Sequence, residues 1–295
     1  MKTLSDIIKI NEEKINEAFK LGKNKIKTNT ITVTPANKEE LKTIIQERIE
    51  KDPNADLNDI NVSLITDMSN LFKYIKNVCA IDVSDWDVSN VTNMSGMFVG
   101  NDRCEPKGLE NWDTGKVTDM SQMFYLCRKF TGKDIENWDV SSVTTMDDMF
   151  LYCGSNFNPD LSKWDVSNVR TMKKTFFECD KFEGKGLEKW NLEKVQSTYQ
   201  MFRECYKFNI DVSGWNVSNV IDCSEMFKSC ISFEGKGLDQ WKLDNVKKIS
   251  NMFTGCTNLS VKLNKWKITT DVIKSRDMFK DCVNMKGKIP LWFFK

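Results

Sequence analysis

Ten cysteines are the residues most open to chemistry, and seven of them, Cys127, Cys153, Cys179, Cys205, Cys230, Cys256 and Cys282, recur every 25 or 26 residues. Evenly spaced thiols raise a disulfide or metal framework. Seven equivalent positions cannot all pair, because pairing selects some neighbours from a uniform ladder, and no Cys-x-x-Cys zinc pair occurs. Each of the seven follows a Phe by three residues. Cys is small and polarizable and suits the crowded inner side of a turn, so the column reads as structural free thiols. Cys223 falls where other copies place Met68, Met94, Met120, Met146 and Met172, and Cys104 where they place Phe130, Phe182, Phe208 and Phe233. Both read as core substitutions.

The chain has no histidine, which removes Ser-His-Asp and Cys-His nucleophile activation and all imidazole metal ligation. Carboxylates remain: Asp87, Asp113, Asp139 and Asp165 each follow a Trp, and the same column continues as Asn191, Asn216, Lys242 and Lys267. General acid/base work needs two carboxylates in unlike environments, whereas a column of like acids is ordinarily a solvated face. Asp82 to Asp87 lacks the glycine and terminal glutamate of a calcium loop. Glu183-Gly184-Lys185-Gly186 and Glu234-Gly235-Lys236-Gly237 lack a phosphate-cradling pattern. No catalytic residue, cofactor or metal site is expected. The column from Asp87 to Lys267 grades from acidic to basic and is the candidate partner-binding face.

These columns must be positioned by a tandem repeat. Trp86, Trp112, Trp138, Trp164, Trp190, Trp215, Trp241, Trp266 and Trp292 mark the copies, each preceded three residues earlier by an aliphatic such as Val83 or Leu109. Trp and Val two apart share one side of a strand, and Met120, Met123, Phe124 and Cys127 fall at i, i+3, i+4 and i+7, one face of a helix. The expected fold class is therefore α/β, a solenoid of about ten coils, each a strand, a turn and a helix, with a parallel sheet on one face. Ile60 stands where later copies have Trp, so the array begins one coil earlier, and one-residue slips such as that between Phe202 and Trp215 belong in turns. Neighbouring coils must supply the stability, and no isolated repeat is expected to fold. Residues 1–54 lack the repeat and form an N-terminal cap with helix-like stretches at about Leu4 to Lys20 and Lys38 to Glu50 around a β-prone Thr30 to Thr34. Residues 55–295 form the solenoid.

Lys and Arg balance Asp and Glu to a net +1, so no whole-protein field favours nucleic acid. No segment reads as a secretory signal or a bilayer span, which places the chain in the cytoplasm as written. At the other end Trp292, Phe293 and Phe294 form an aromatic edge, a candidate for self-association.

The columns spell Leu-x-x-Trp-x-Val-x-x-Val-x-x-Met-x-x-Met-Phe-x-x-Cys-x-x-Phe, as in Trp86-Asp87-Val88-Ser89-Asn90-Val91-Thr92-Asn93-Met94-Ser95-Gly96-Met97-Phe98. Over about Asp56 to Lys295 this closely resembles the BspA-like leucine-rich repeats, a 26-residue repeat family of bacterial surface proteins. The resemblance implies a leucine-rich-repeat-like fold and a non-enzymatic role in protein binding or adhesion, often at a cell surface or in secreted form. The partner implied is an unidentified protein. A structural, self-assembling repeat protein is the alternative.

Overall fold

The computed structural model describes residues 30–76, 78–103, 105–268 and 277–294. The stretch Leu4 to Lys20 lies outside them. From Ile31 onward the chain forms one compact unit.

Helix α1, Lys38–Lys51, opens the described structure. The Asn37 side chain accepts the Glu40 N–H at its N-terminus, Glu39 and Glu40 sit in its first turn, and Arg48 and Lys51 in its last, each charge complementing the helix dipole. Leu41, Ile45 and Ile49 fall at i, i+4 and i+8 and bury one face against the first coil. Around them Arg48 pairs with Asp59, Lys38 lies 2.7 Å from Asp67, and Val33 forms a parallel bridge with Ile60.

The repeats form a right-through stack of coils, but their local structure differs from strand, turn and helix. The parallel bridges do not lie at Trp. The longest ladder runs through Asp67, Asn93, Asp119, Thr145, Thr171, Ser197, Asp222 and Lys248, just before the Met column, and a shorter one joins Asp56, Asp82 and Lys107 in the first coils. The Trp segment is instead a tight turn, in which the Trp86 N–H donates to the Val83 carbonyl at 3.2 Å. In four coils this becomes a short 3-10 turn, as at Leu109–Asn111, entered from a left-handed glycine. At Gly108 a Cβ would stand 2.1 Å from the Ser84 Cα of the previous coil, so only glycine fits that crossing.

The Met-x-x-Met-Phe segment is likewise not a helix. Met94, Gly96, Phe98 and Gly100 donate their N–H groups to Asp119, Ser121, Met123 and Tyr125 of the next coil at 2.7 to 2.9 Å, while Met97, Val99 and Asn101 close turns onto the carbonyl three residues back. Every fourth residue is left-handed: Gly96 and Gly100, then Gln122 and Leu126, then Asp148 and Tyr152. A helix spends its N–H groups internally and is about 10 Å across, whereas bridged coils rise by roughly 4.8 Å. Flat four-residue turns satisfy the stacking, and they reproduce the same i, i+3, i+4 apolar spacing.

Inside the stack, the repeat Phe rings lie nearly parallel, with Phe98 to Phe124 at 5.4 Å and Phe176 to Phe202 at 5.4 Å. Trp86 and Trp112 stack at 6.4 Å and 2°. The slip before Trp215 is absorbed in the return loop, and its indole keeps the same partner column one residue nearer in sequence.

Candidate functional site

Two core columns hold polar atoms with defined partners. The thiols of Cys127, Cys153, Cys179, Cys205, Cys230, Cys256 and Cys282 each donate to the backbone carbonyl of the repeat Phe one coil back, at 2.8 to 3.3 Å. Asn101 stands in this column, and its amide donates to Phe72 at 2.8 Å. In the first coil the position is Ile75, where no preceding repeat Phe exists. The indole N–H groups behave identically: Trp86 donates to Leu57 at 2.9 Å and Trp138 to Leu109 at 2.8 Å, and the pattern continues to Trp266 on Leu238. Here too the first coil carries an apolar residue, Ile60. The requirement for a donor is thus what selects Cys and Trp, and the clue in the sequence is that both columns begin one coil late. Burial holds these thiols protonated: it pushes Cys282 up to about 11 and Cys127, Cys153 and Cys179 higher still. A buried thiol without thiolate character is inert. Cys223 is buried and its thiol donates to the Lys248 carbonyl. Cys104 lies outside the described residues.

The column after Trp is exposed from Asp87 to Lys267. Its acids and amides serve turns. The Oδ1 of Asp87, Asp113, Asp139, Asp165, Asn191 and Asn216 accepts the N–H two residues on, at 2.9 to 3.2 Å. At Asp139 the hydroxyl and N–H of Ser141 hold the carboxyl below its ordinary range. Asp82 and Asp160 act on Ser84 and Ser162 in the same way one turn earlier, so the recurrent Asp-x-Ser is an Asx turn. Lys242 and Lys267 supply no such acceptor.

A second surface, not singled out by the repeat pattern, lies one and two residues beyond the repeat Phe. The rings of Tyr125 and Tyr152 approach to 6.2 Å, Tyr152 meets Phe177 edge-on at 5.5 Å, and the Arg203 guanidinium lies 5.0 Å over Phe177. Arg203 also contacts Glu204 at 3.1 Å and Glu225 at 2.8 Å, and Lys228 joins Glu225 at 3.1 Å. Burial and the charge of Glu178 push the Tyr152 phenol up, and the Glu178 carboxyl is raised by burial and by the charge of Glu204. Tyr206 reaches Glu204 from the next column. Tyr152, Glu178 and Glu204 all sit in a left-handed column that also carries Tyr74, Leu126, Ser229 and Asp281, and glycine only at Gly100 and Gly255. Their side chains are held where glycine is the easier residue.

At the terminal edge, Leu291–Phe294 forms a 3-10 turn and the Phe293 ring packs edge-on against Phe279 at 5.2 Å. The side chains of Trp292 and Phe294 lie outside the described set. Among the described residues no group of three Cys, Asp or Glu could hold a metal ion, and no helix is long and apolar enough to cross a membrane.

No curated protein matches the chain. Among solved structures it is similar to one described as a crystal structure of a TLR13–ssRNA13 complex, at 11% identity and a TM-score of 0.28. That alignment covers 84% of this chain and 51% of the other, about half its length. A family model matches three overlapping windows, residues 39–131, 100–185 and 171–292, which together take in most of the sequence from α1 to the last coil. The chain therefore belongs to the family described as Mycoplasma protein of unknown function, DUF285.

Proposed function

We propose that this repeat protein is a non-enzymatic recognition scaffold that binds a partner protein through the Tyr125–Tyr152–Phe177–Arg203 surface. One observation carries the reading. In adjacent coils the rings of Tyr125, Tyr152 and Phe177 and the Arg203 guanidinium follow one another at 5.0 to 6.2 Å, a row that the uniform core columns do not require. Tyr and Arg side chains gathered in adjacent coils fit the make-up of interface hot spots. The hydrogen-bonded Cys and Trp columns supply a rigid base beneath them. The exposed column from Asp87 to Lys267 is a second face of the same scaffold, committed through most of its length to turns.

A photo-crosslinking residue placed at Tyr206, which is 37% exposed, tests the reading against one placed at the exposed Asn191. Capture of a discrete protein from Tyr206 and not from Asn191 is the expected result in extracts of the cell that makes the chain. Equal capture from both positions, or from neither, overturns it.

A further inference from the structure

A further site lies apart from the Tyr152 surface, where α1 ends beside the first two coils. In later coils the residue three beyond the Cys column is a phenylalanine, as at Phe130, Phe182, Phe208 and Phe233, and each ring is buried in the core. The first coil has the smaller Val78 there. Beside Val78 a cavity of about 560 Å³ opens to the surface, with Pro53 and Ile75 among its apolar walls. That volume suits a small organic ligand.

Three features of the lining point to what it holds. The Tyr74 ring lies across Gly100, where a Cβ would stand 2.2 Å from the ring Cδ1, so the absence of a side chain at Gly100 is what seats the ring. Lys73, which does not line the cavity, sits 5.6 Å from the ring centre, and Tyr74 remains 59% exposed. Lys76 and Arg103 are exposed, line the same cavity and form no ion pair among the described residues, while Asp102, the acid that lines it with them, is drawn to Arg128 at 3.3 Å. Asn101 lines it too and is only 3% exposed. Its amide donates to the Phe72 carbonyl at 2.8 Å, and its Oδ1 has no hydrogen-bond partner among the described residues. In the next coil the Cys127 thiol makes the same donation, so the stack requires the donor and not the Oδ1.

We infer that the cavity binds a nucleoside phosphate, with the base over Tyr74, the phosphate on Lys76 and Arg103, and an N–H of the base on the Asn101 Oδ1. An aromatic ring accepts the face of any base, and two cations outside any ion pair match a phosphate dianion. Inorganic phosphate would use the cations alone, and an apolar ligand the ring alone.

The test is calorimetric titration of the full chain with AMP, with a Kd below about 1 mM expected and adenosine and inorganic phosphate each weaker by about ten-fold or more. Tyr74→Leu, which removes the ring and no charge, is expected to weaken AMP about five-fold or more, and Lys76→Gln combined with Arg103→Gln about ten-fold or more. Lys262→Gln combined with Lys265→Gln removes the same charge from a late coil and is expected to change binding by less than about two-fold. Asn101→Cys installs the residue of the later coils, keeps a donor for Phe72 and removes only the Oδ1. It should unfold no more easily than the parent and bind AMP about three-fold or more weakly. AMP should also slow alkylation of Cys79, a partly exposed thiol that lines the cavity. A Kd above about 1 mM, phosphate binding as tightly as AMP, equal loss in the two double variants, unweakened binding by Asn101→Cys, or Cys79 alkylated equally fast with and without AMP overturns the assignment.

Discussion

The thiol of Cys179 donates to the carbonyl oxygen of Phe150, 3.1 Å away and 29 residues earlier in the chain. That oxygen already accepts the Cys153 N–H of its own coil, so the thiol satisfies its second lone pair and ties two coils together where no water reaches.

Replacing Cys179 by Ala should therefore destabilise the fold by about 1–2 kcal/mol, part from the lost bond and part from the lost sulfur volume. Cys179→Ser keeps a donor and should lose less than Cys179→Ala. Chemical denaturation of the three proteins decides the point, and an Ala variant as stable as the Ser variant would remove the hydrogen bond from the account.

Trp138→Phe keeps an aromatic ring but drops the indole donor that meets Leu109 at 2.8 Å. A loss of about 2–3 kcal/mol is expected from the smaller ring and from a carbonyl left with the Trp112 N–H alone. At Ile60 the same logic runs in reverse. Ile60→Phe should cost no more than its misfit in volume, since no indole partner exists there, and thermal unfolding of both variants compares them.

Much of this was legible in the sequence. The period, the inward columns, the coil beginning at Leu57 and the helix near Lys38 all follow from apolar spacing and capping residues. The expected helix in each coil failed because Met94, Met97 and Phe98 satisfy a helical period and a four-residue turn equally well; only the bonds from Met94 and Phe98 to the next coil separate the two. The acceptors of Cys and Trp lie 28 or 29 residues away, beyond any local pattern. Tyr152, Glu178 and Glu204 escaped notice for the opposite reason: they differ from one copy to the next, and a reading based on repetition passes over what does not repeat.

The Arg48–Asp59 pair anchors α1 to the first coil, and the Arg48 guanidinium is the main reason the Asp59 carboxyl sits at about 2 rather than 3.8. A depressed carboxyl stabilises the fold above its unfolded value and loses that contribution as pH falls through the folded one. Asp59→Asn should thus be less stable than the parent at pH 5 to 7, with the gap closing between about pH 4 and pH 2. A gap independent of pH, measured by urea unfolding across that range, would locate the effect elsewhere.

Asp139 is exposed yet accepts the Ser141 N–H at 2.9 Å. Asn offers the same acceptor, as Asn191 and Asn216 show in later coils. Asp139→Asn should be nearly silent in stability, and Asp139→Ala should cost about 0.5–1.5 kcal/mol. The same distinction permits a clean reading of the acidic-to-basic column: Lys242→Glu with Lys267→Glu alters charge without touching an Asx turn, so altered partner capture in that variant would mark the column as a binding face, and unchanged capture would leave it to the turns alone.

Glu178 combines a left-handed backbone with a carboxyl that burial and Glu204 push upward. Both work against the folded state at neutral pH. Glu178→Gly should therefore stabilise the protein by about 1 kcal/mol through the backbone alone, with a further gain near pH 7 from removing the disfavoured charge. Because the folded carboxyl is raised, its penalty is absent below the unfolded value near 4.5 and grows as pH rises through that value and the folded one. The gain should accordingly be smaller at pH 4 than at pH 7. If Glu178→Gly is less stable than the parent at both pH values, the contacts of the Glu178 side chain outweigh the cost of its left-handed backbone.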